Sequence, residues 1–257
     1  MSAATTPTPT AVPDAAAPRR VLLGMLTPSS NTALEPITAA MLAGLPEASA
    51  HFARFRVTEI SLGDRALGQF DEAPILEAAR LLADARVDVI AWNGTSSGWL
   101  GFERDEALCA RITAETGIPA CTSVLALNEA MRLAGRTRFG LLSPYLEDVQ
   151  RRIVDNYARR GFDCAAERHL GLRVNFEFSE VTPEQIGGMA RAAMAAGDPQ
   201  CLTTFCTNLR AAPMVPALEA ALGVPVYDTV ATAVWKSLRI AGVDTRRVRG
   251  WGSLFDL

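Results

Sequence analysis

The chain reads as an α/β protein of two pseudo-symmetric halves. Each half is expected to hold a mostly parallel four-stranded sheet flanked by helices, with a cleft between the halves. Three observations predict this. Short apolar runs alternate with longer amphipathic stretches eight times along 257 residues, the pattern of helix-covered parallel sheets. The chain repeats its own pattern once. No apolar run reaches the roughly 18 residues that a membrane-spanning helix needs.

The first half opens on a strand at 21–27 (VLLGMLT), followed by strands at 51–57, 87–93 (VDVIAWN) and 119–123. The second half supplies strands at 138–142 (RFGLL), 163–168, 201–205 and 225–228. Between them, 74–86 (PILEAARLLADAR) and 145–160 (YLEDVQRRIVDNYARR) place apolar residues three and four apart, which is the helical period. Residues 1–20 are rich in Ala, Thr and Pro and lack the basic start and apolar centre of a signal peptide; they read as a flexible tail. The halves are expected at 21–135 and 136–228, with the C-terminal helix of 229–257 packing back on the first half.

The repeat fixes the correspondence between halves. GMLTP (24–28) matches GLLSP (140–144), and GIP (117–119) matches GVP (223–225). TSVLALNEAMRLAG (122–135) matches TVATAVWKSLRIAG (229–242), and VIAWNGTS (89–96) aligns with CLTTFCTN (201–208). Four matches in the same order indicate a duplication. In parallel sheets ligands sit beyond the carboxyl ends of strands. Gly94-Thr95-Ser96 is therefore expected to face Cys206-Thr207-Asn208 across the cleft, with a thiol on one side and glycine on the other.

Composition narrows the chemistry. With 25 basic and 28 acidic residues and a net charge of −3, there is no electrostatic footprint for nucleic acid or an anionic membrane. Five irregularly spaced cysteines without a CxxC suggest free thiols and a cytoplasmic setting. Two histidines without HxxH or HExxH give no zinc spacing. GxxxxGK[ST] and GxGxxG are both missing, so neither a phosphate nor a dinucleotide cofactor is expected, and no cofactor is assigned.

Cys206 closes an apolar run at a strand end, where a thiol with a reference pKa of about 8.5 can give or take a proton near neutrality. Cys121, near another strand end, is its one rival. Thr95 and Ser96 offer hydroxyls and backbone N–H groups to an oxyanion, or alternatively cap a helix. Asn31 and Ser29-Ser30 follow the first strand and could equally form a turn. Asn175 sits in the loop after GLR, among apolar Val174, Phe176 and Phe178. Trp92 and Trp99 flank the NGTS loop, where core packing is the plainer reading. His169 reads as a structural histidine as readily as an acid or base.

Six segments in order resemble the aspartate/glutamate racemase superfamily, in its branch of maleate cis-trans isomerase and arylmalonate decarboxylase. They are TPSSNT (27–32), NGTS (93–96), SPYLEDV (143–149), GLRVNF (171–176), FCTN (205–208) and GVPVYDTVATAVWKSLR (223–239). The resemblance implies paired cysteines, one per half, on opposite faces of a carbon next to a carboxylate. Here Gly94 stands at the first position and Cys206 at the second, the departure that arylmalonate decarboxylases also show. It implies decarboxylation of a substituted malonate through an enediolate. Catalytic Cys206, Thr95, Ser96 and Tyr145 would act together, with Pro28, Ser29, Ser30, Asn31, Gly94, Asn175, Thr207 and Asn208 binding a small carboxylate or dicarboxylate. A maleate-isomerase-like or racemase-like enzyme is the alternative, and a non-catalytic two-lobed carboxylate-binding protein is a second. A homodimer would be ordinary for the family. The alignment of Gly94 with Cys206 further predicts that Gly94→Cys adds a second base.

Overall fold

A computed structural model describes residues 19–257, so most of the expected tail at 1–20 lies outside the described residues. Among the described residues, eight strands form two parallel sheets of four. The first has the order β2-β1-β3-β4, from β1 (Val21–Pro28), β2 (Ala48–Phe55), β3 (Val89–Trp92) and β4 (Ala120–Thr122). The second has the order β6-β5-β7-β8, from β5 (Arg138–Ser143), β6 (Asp163–His169), β7 (Cys201–Thr204) and β8 (Val226–Asp228). The same order in both sheets is the duplication made visible. The central strands β1, β3 and β7 are almost wholly buried, as strands covered on both faces are.

The helices are α1 (Leu34–Leu42), α2 (Asp64–Leu67), α3 (Glu72–Asp84), α4 (Ser97–Leu100) and α5 (Phe102–Thr116), then α6 (Ser123–Leu133), α7 (Glu147–Arg159), α8 (Pro183–Ala196), α9 (Val215–Leu222) and α10 (Thr229–Ile240). Local chemistry fixes their ends. Thr182 and Gln185 form a reciprocal capping box with Pro183 in the first turn of α8. Thr122 caps α6 by accepting from the Leu125 N–H at 3.1 Å.

One expected strand is displaced: 51–57 is observed at 48–55. Pairing with β1 runs in register from Val21↔Ala48 to Pro28↔Phe55. Beyond Phe55 the chain leaves the sheet. Residues 56–71 cross the cleft instead, and Glu59 bridges Val174 of the second half. The Ile60 N–H donates to the Arg173 carbonyl at 2.9 Å, and the Asn175 N–H to the Thr58 carbonyl at 3.0 Å.

The two matched helices α6 and α10 pack on each other, and α10 also lies against β3, β4 and α1 of the first half. Thr232 Oγ1 donates to the Ser123 carbonyl at 2.8 Å. Asp228 caps α10. Its carboxylate accepts from the Val230 N–H at 2.8 Å, the Ala231 N–H at 3.2 Å and Thr204 Oγ1 at 2.7 Å. Burial pushes this carboxyl up to about 6, against hydrogen bonds that pull it down. The protonated form is thus favoured in the fold, so its stabilisation is complete below 3.8 and is lost as pH rises through about 6. Asp228→Ala leaves a buried hydroxyl and two N–H groups unpaired. The expected cost is about 2–4 kcal/mol in urea unfolding near pH 4, shrinking toward pH 7; a loss below about 0.5 kcal/mol near pH 4 contradicts this role for the cap.

Candidate active site

The site lies where the strand ends of the two halves meet. Pro28 ends β1, Gly94-Thr95-Ser96 follows β3, Tyr145 follows β5, and Cys206-Thr207 follows β7. Together with Asn175 they line one small cavity of about 20 Å³, room for about one water molecule. Val57, Ile60, Phe70, Trp92 and Trp99 complete its wall. Among the described residues, no Lys, Arg or His lines it.

Cys206 is 2% exposed. Burial pushes its thiol up to about 11, although hydrogen bonds from Tyr145 and from backbone N–H groups of Asn208 and Leu209 pull the other way. The thiol is therefore protonated at neutral pH. The Asn208 N–H approaches Sγ at 3.4 Å. Cys121 lies elsewhere, in β4 and 3.6 Å from Ser237 Oγ of α10, and does not line the cavity.

Tyr145 and Thr95 join the halves above the sulfur. Their oxygens are 2.6 Å apart. Burial holds the phenol well above its ordinary range, so it stays a hydrogen-bond donor. Its ring is set edge-on against Trp99, at 5.3 Å, and Phe178, at 5.5 Å. Ser96 occupies the first-turn cap of α4 without a side-chain capping bond, so capping does not consume the hydroxyls of this loop.

Four expected binding residues stand behind the cavity rather than on its wall. Asn31 Oδ1 accepts from the Ala33 and Leu34 N–H groups at 3.0 and 2.9 Å, and its Nδ2 donates to Thr207 Oγ1 at 3.2 Å. Asn208 Oδ1 accepts from the Thr32 N–H at 3.0 Å, and its Nδ2 donates to the Asn175 carbonyl at 2.6 Å. Ser29 and Ser30 hydroxyls donate to the Val57 carbonyl at 3.3 and 2.6 Å. Asn175 Nδ2 in turn donates to Ser30 Oγ at 2.7 Å. These side chains tie the first half's loop to the second half's and so hold Thr207 and Asn175 in place. Thr207 Oγ1 also donates to the Asn93 carbonyl at 3.1 Å.

The expected mixed wall around Asn175 differs in detail. Val174 and Phe176 are exposed and Phe178 is buried behind Tyr145. The turn from Asn175 to Glu180 brings only Asn175 to the cavity. Much of the apolar wall comes instead from Val57, Ile60 and Phe70 of the 56–71 crossing, which sequence reading did not connect to the site. His169 bonds Glu167 at 2.9 Å and does not line the cavity. A larger groove of about 600 Å³ lies beyond Trp99, lined by Glu103, Arg152, Asp155 and Arg159 among others. It contains none of the strand-end residues.

Two glycines at the site stand where a Cβ has no room, Gly98 against the other half and Gly94 against Trp92 of its own half. A Cβ at Gly98 would come within 2.6 Å of the Phe205 ring, so α4 can lie directly on the β7 end. A Cβ at Gly94 would lie 2.0 Å from Trp92 Cζ2 and 2.4 Å from its Cε2 and Cη2.

Known proteins share this architecture. The maleate isomerase of Pseudomonas putida S16 superposes with a TM-score of 0.84 at 22% identity, over 92% of this chain and 98% of that one. A crystal structure of arylmalonate decarboxylase superposes with a TM-score of 0.74 at 24% identity, over 91% and 99%. In sequence, the arylmalonate decarboxylase of Bordetella bronchiseptica is 29% identical over 71% of this chain and 77% of its own. The maleate isomerase of Geobacillus stearothermophilus is 25% identical over 87% and 92%. The relatives are thus isomerases as well as a decarboxylase. The family model described as arylmalonate decarboxylase matches residues 24–255, and on that match this chain belongs to the arylmalonate decarboxylase family.

Proposed function

We propose that this protein decarboxylates a substituted malonate, with Cys206 as the proton donor. The observation that carries this reading is a single protonated thiol facing a glycine in a largely apolar cavity without a cationic side chain. Heterolysis of the bond from Cα to one carboxylate releases CO2 and leaves the electron pair on an enediolate. The hydroxyls of Thr95, Ser96 and Tyr145 and the Thr207 N–H meet that charge. The Cys206 S–H then gives its proton to Cα, and water reprotonates the thiolate. An apolar wall favours loss of CO2 because it solvates the departing carboxylate poorly. One donor on one face makes the product a single enantiomer.

Isomerisation of maleate is the main rival. A cysteine-to-serine variant of the Nocardia farcinica maleate isomerase is described with a covalently bound succinylcysteine intermediate. That enzyme therefore keeps a reacting cysteine after another is replaced. Among the described residues, Cys206 is the one cysteine on the cavity wall, which supports decarboxylation.

Proton NMR in D2O, with a panel of 2-substituted malonates and maleate, tests the reading. Disappearance of a malonate with one deuterium entering Cα is the expected result. Conversion of maleate to fumarate, with the malonates untouched, sinks it.

A further inference from the structure

We infer that Trp92 is the residue that makes this site one-sided and limits the size of the substrate group carried toward Gly94. The inference rests on the malonate reading only for the identity of that group. The steric relation stands on its own. Trp92 ends β3, and its indole folds back over the position two residues on. A Cβ added at Gly94 would overlap the ring, with the nearest atoms at 2.0 and 2.4 Å, well inside any real contact. The ring has little freedom to yield. It is 1% exposed, and Phe55 packs against it at 5.0 Å between centroids. Phe55 is itself buried at the end of β2.

Trp92 and Gly94 line the same cavity as Cys206. The indole thus fills the volume that a side chain at position 94 would take. Glycine there is required by the tryptophan, and the pair acts as a unit. This corrects the expectation that Gly94→Cys by itself supplies a second base: the new sulfur has no place while Trp92 stands. The same ring closes the cavity on that side. With only about 20 Å³ open, substrate entry requires movement of the wall, and a bulky group directed toward Gly94 meets the indole first.

A four-protein cycle tests this: the parent, Gly94→Cys, Trp92→Ala and the double variant, with Gly94→Ala as a milder probe. Overpacking should lower Tm by about 3–10 °C in Gly94→Cys, and in the same direction in Gly94→Ala. In the Trp92→Ala background, Gly94→Cys should cost no further Tm, a non-additivity expected of residues in contact. The double variant alone should exchange the α proton of 2-phenylpropionate in D2O, at least tenfold faster than either single variant. There the thiolate at position 94 removes the proton and Cys206 returns one. In thermal-shift binding, Trp92→Ala should gain affinity for 2-naphthylpropionate over 2-phenylpropionate by about tenfold relative to the parent. Equal Tm losses from Gly94→Cys with and without Trp92 overturn the steric assignment. An unchanged preference between the two acids overturns the size limit. If the parent binds or turns over none of these acids and malonates while the Tm coupling holds, the malonate reading fails and the Trp92–Gly94 relation does not.

Discussion

On the proposed malonate reaction, Cys206→Ala is expected to lower kcat for the best malonate by about 10²–10⁴-fold, the range set by loss of a positioned general acid, while the fold persists. Both halves of this expectation rest on the cavity and its contacts. The thiol is the one proton donor of suitable acidity on the cavity wall besides the Tyr145 phenol, and burial keeps that phenol far less acidic than usual. Beside its hydrogen bonds from Tyr145 and Leu209, the sulfur meets the Asn208 N–H only at 3.4 Å. Removing one small buried group costs about 1 kcal/mol by transfer and cavity terms, too little to unfold a chain of this size. Cys206→Ser sharpens the test, since serine keeps the shape and lacks the acidity. A serine variant within tenfold of the parent rules out the thiol as donor. A non-catalytic binding protein predicts something else, namely ligand binding in both proteins and turnover in neither.

The pH profile follows from the same burial. A thiol at about 11 stays protonated through neutrality, so kcat is expected to be flat from about pH 6 to 9 and to fall as pH approaches 11. Above that point the donor is a thiolate and the reaction lacks its proton. The sign matters. A thiolate nucleophile would gain activity over the same rise, and a rate that climbs between pH 9 and 11 is incompatible with Cys206 as an acid.

Much of this was legible in the sequence because it is local or periodic. Strand–helix alternation and the GMLTP/GLLSP repeat give the two sheets and their equivalence, and the family membership follows the same motifs. The loop residues Thr95, Tyr145, Asn175 and Cys206 come together because each follows a strand end or the matched loop, which topology places at one cleft. Three things were not legible. The end of β2 depends on pairing with β1, and the apolar residues past Phe55 look like more strand when they are the start of a crossing. The cavity's apolar wall is assembled from Val57, Ile60 and Phe70, whose approach to Cys206 is long-range. The use of Asn31 and Asn208 as ties between loops is set by rotamers and hydrogen bonds, which residue type alone does not determine. Asparagine after a strand suits a ligand contact and a loop tie equally well.

Tyr145→Phe carries the second large effect, a fall in kcat of about 10²–10³-fold with little change in KM. The enediolate bears its negative charge on oxygens, and the charge exists only after the C–C bond has begun to break. A donor aimed at those oxygens stabilises the transition state more than the ground state, which is the condition for an effect on kcat. On the proposed reaction Tyr145 is that donor: its hydroxyl is held by Thr95 Oγ1 at 2.6 Å and is kept protonated by burial. The ring is retained in Tyr145→Phe, so its edge contacts with Trp99 and Phe178 survive. Stability should therefore change by no more than about 1 kcal/mol, the net worth of one buried hydrogen bond. Thr95→Val provides the complementary variant. It keeps shape and removes the partner that orients the phenol, so its kcat should fall in the same direction. If the two hydroxyls work as one unit, the double variant loses much less than the product of the two single losses. A Tyr145→Phe enzyme with kcat within threefold of the parent removes the phenol from the oxyanion cradle and leaves Ser96 and the backbone amides to hold the charge.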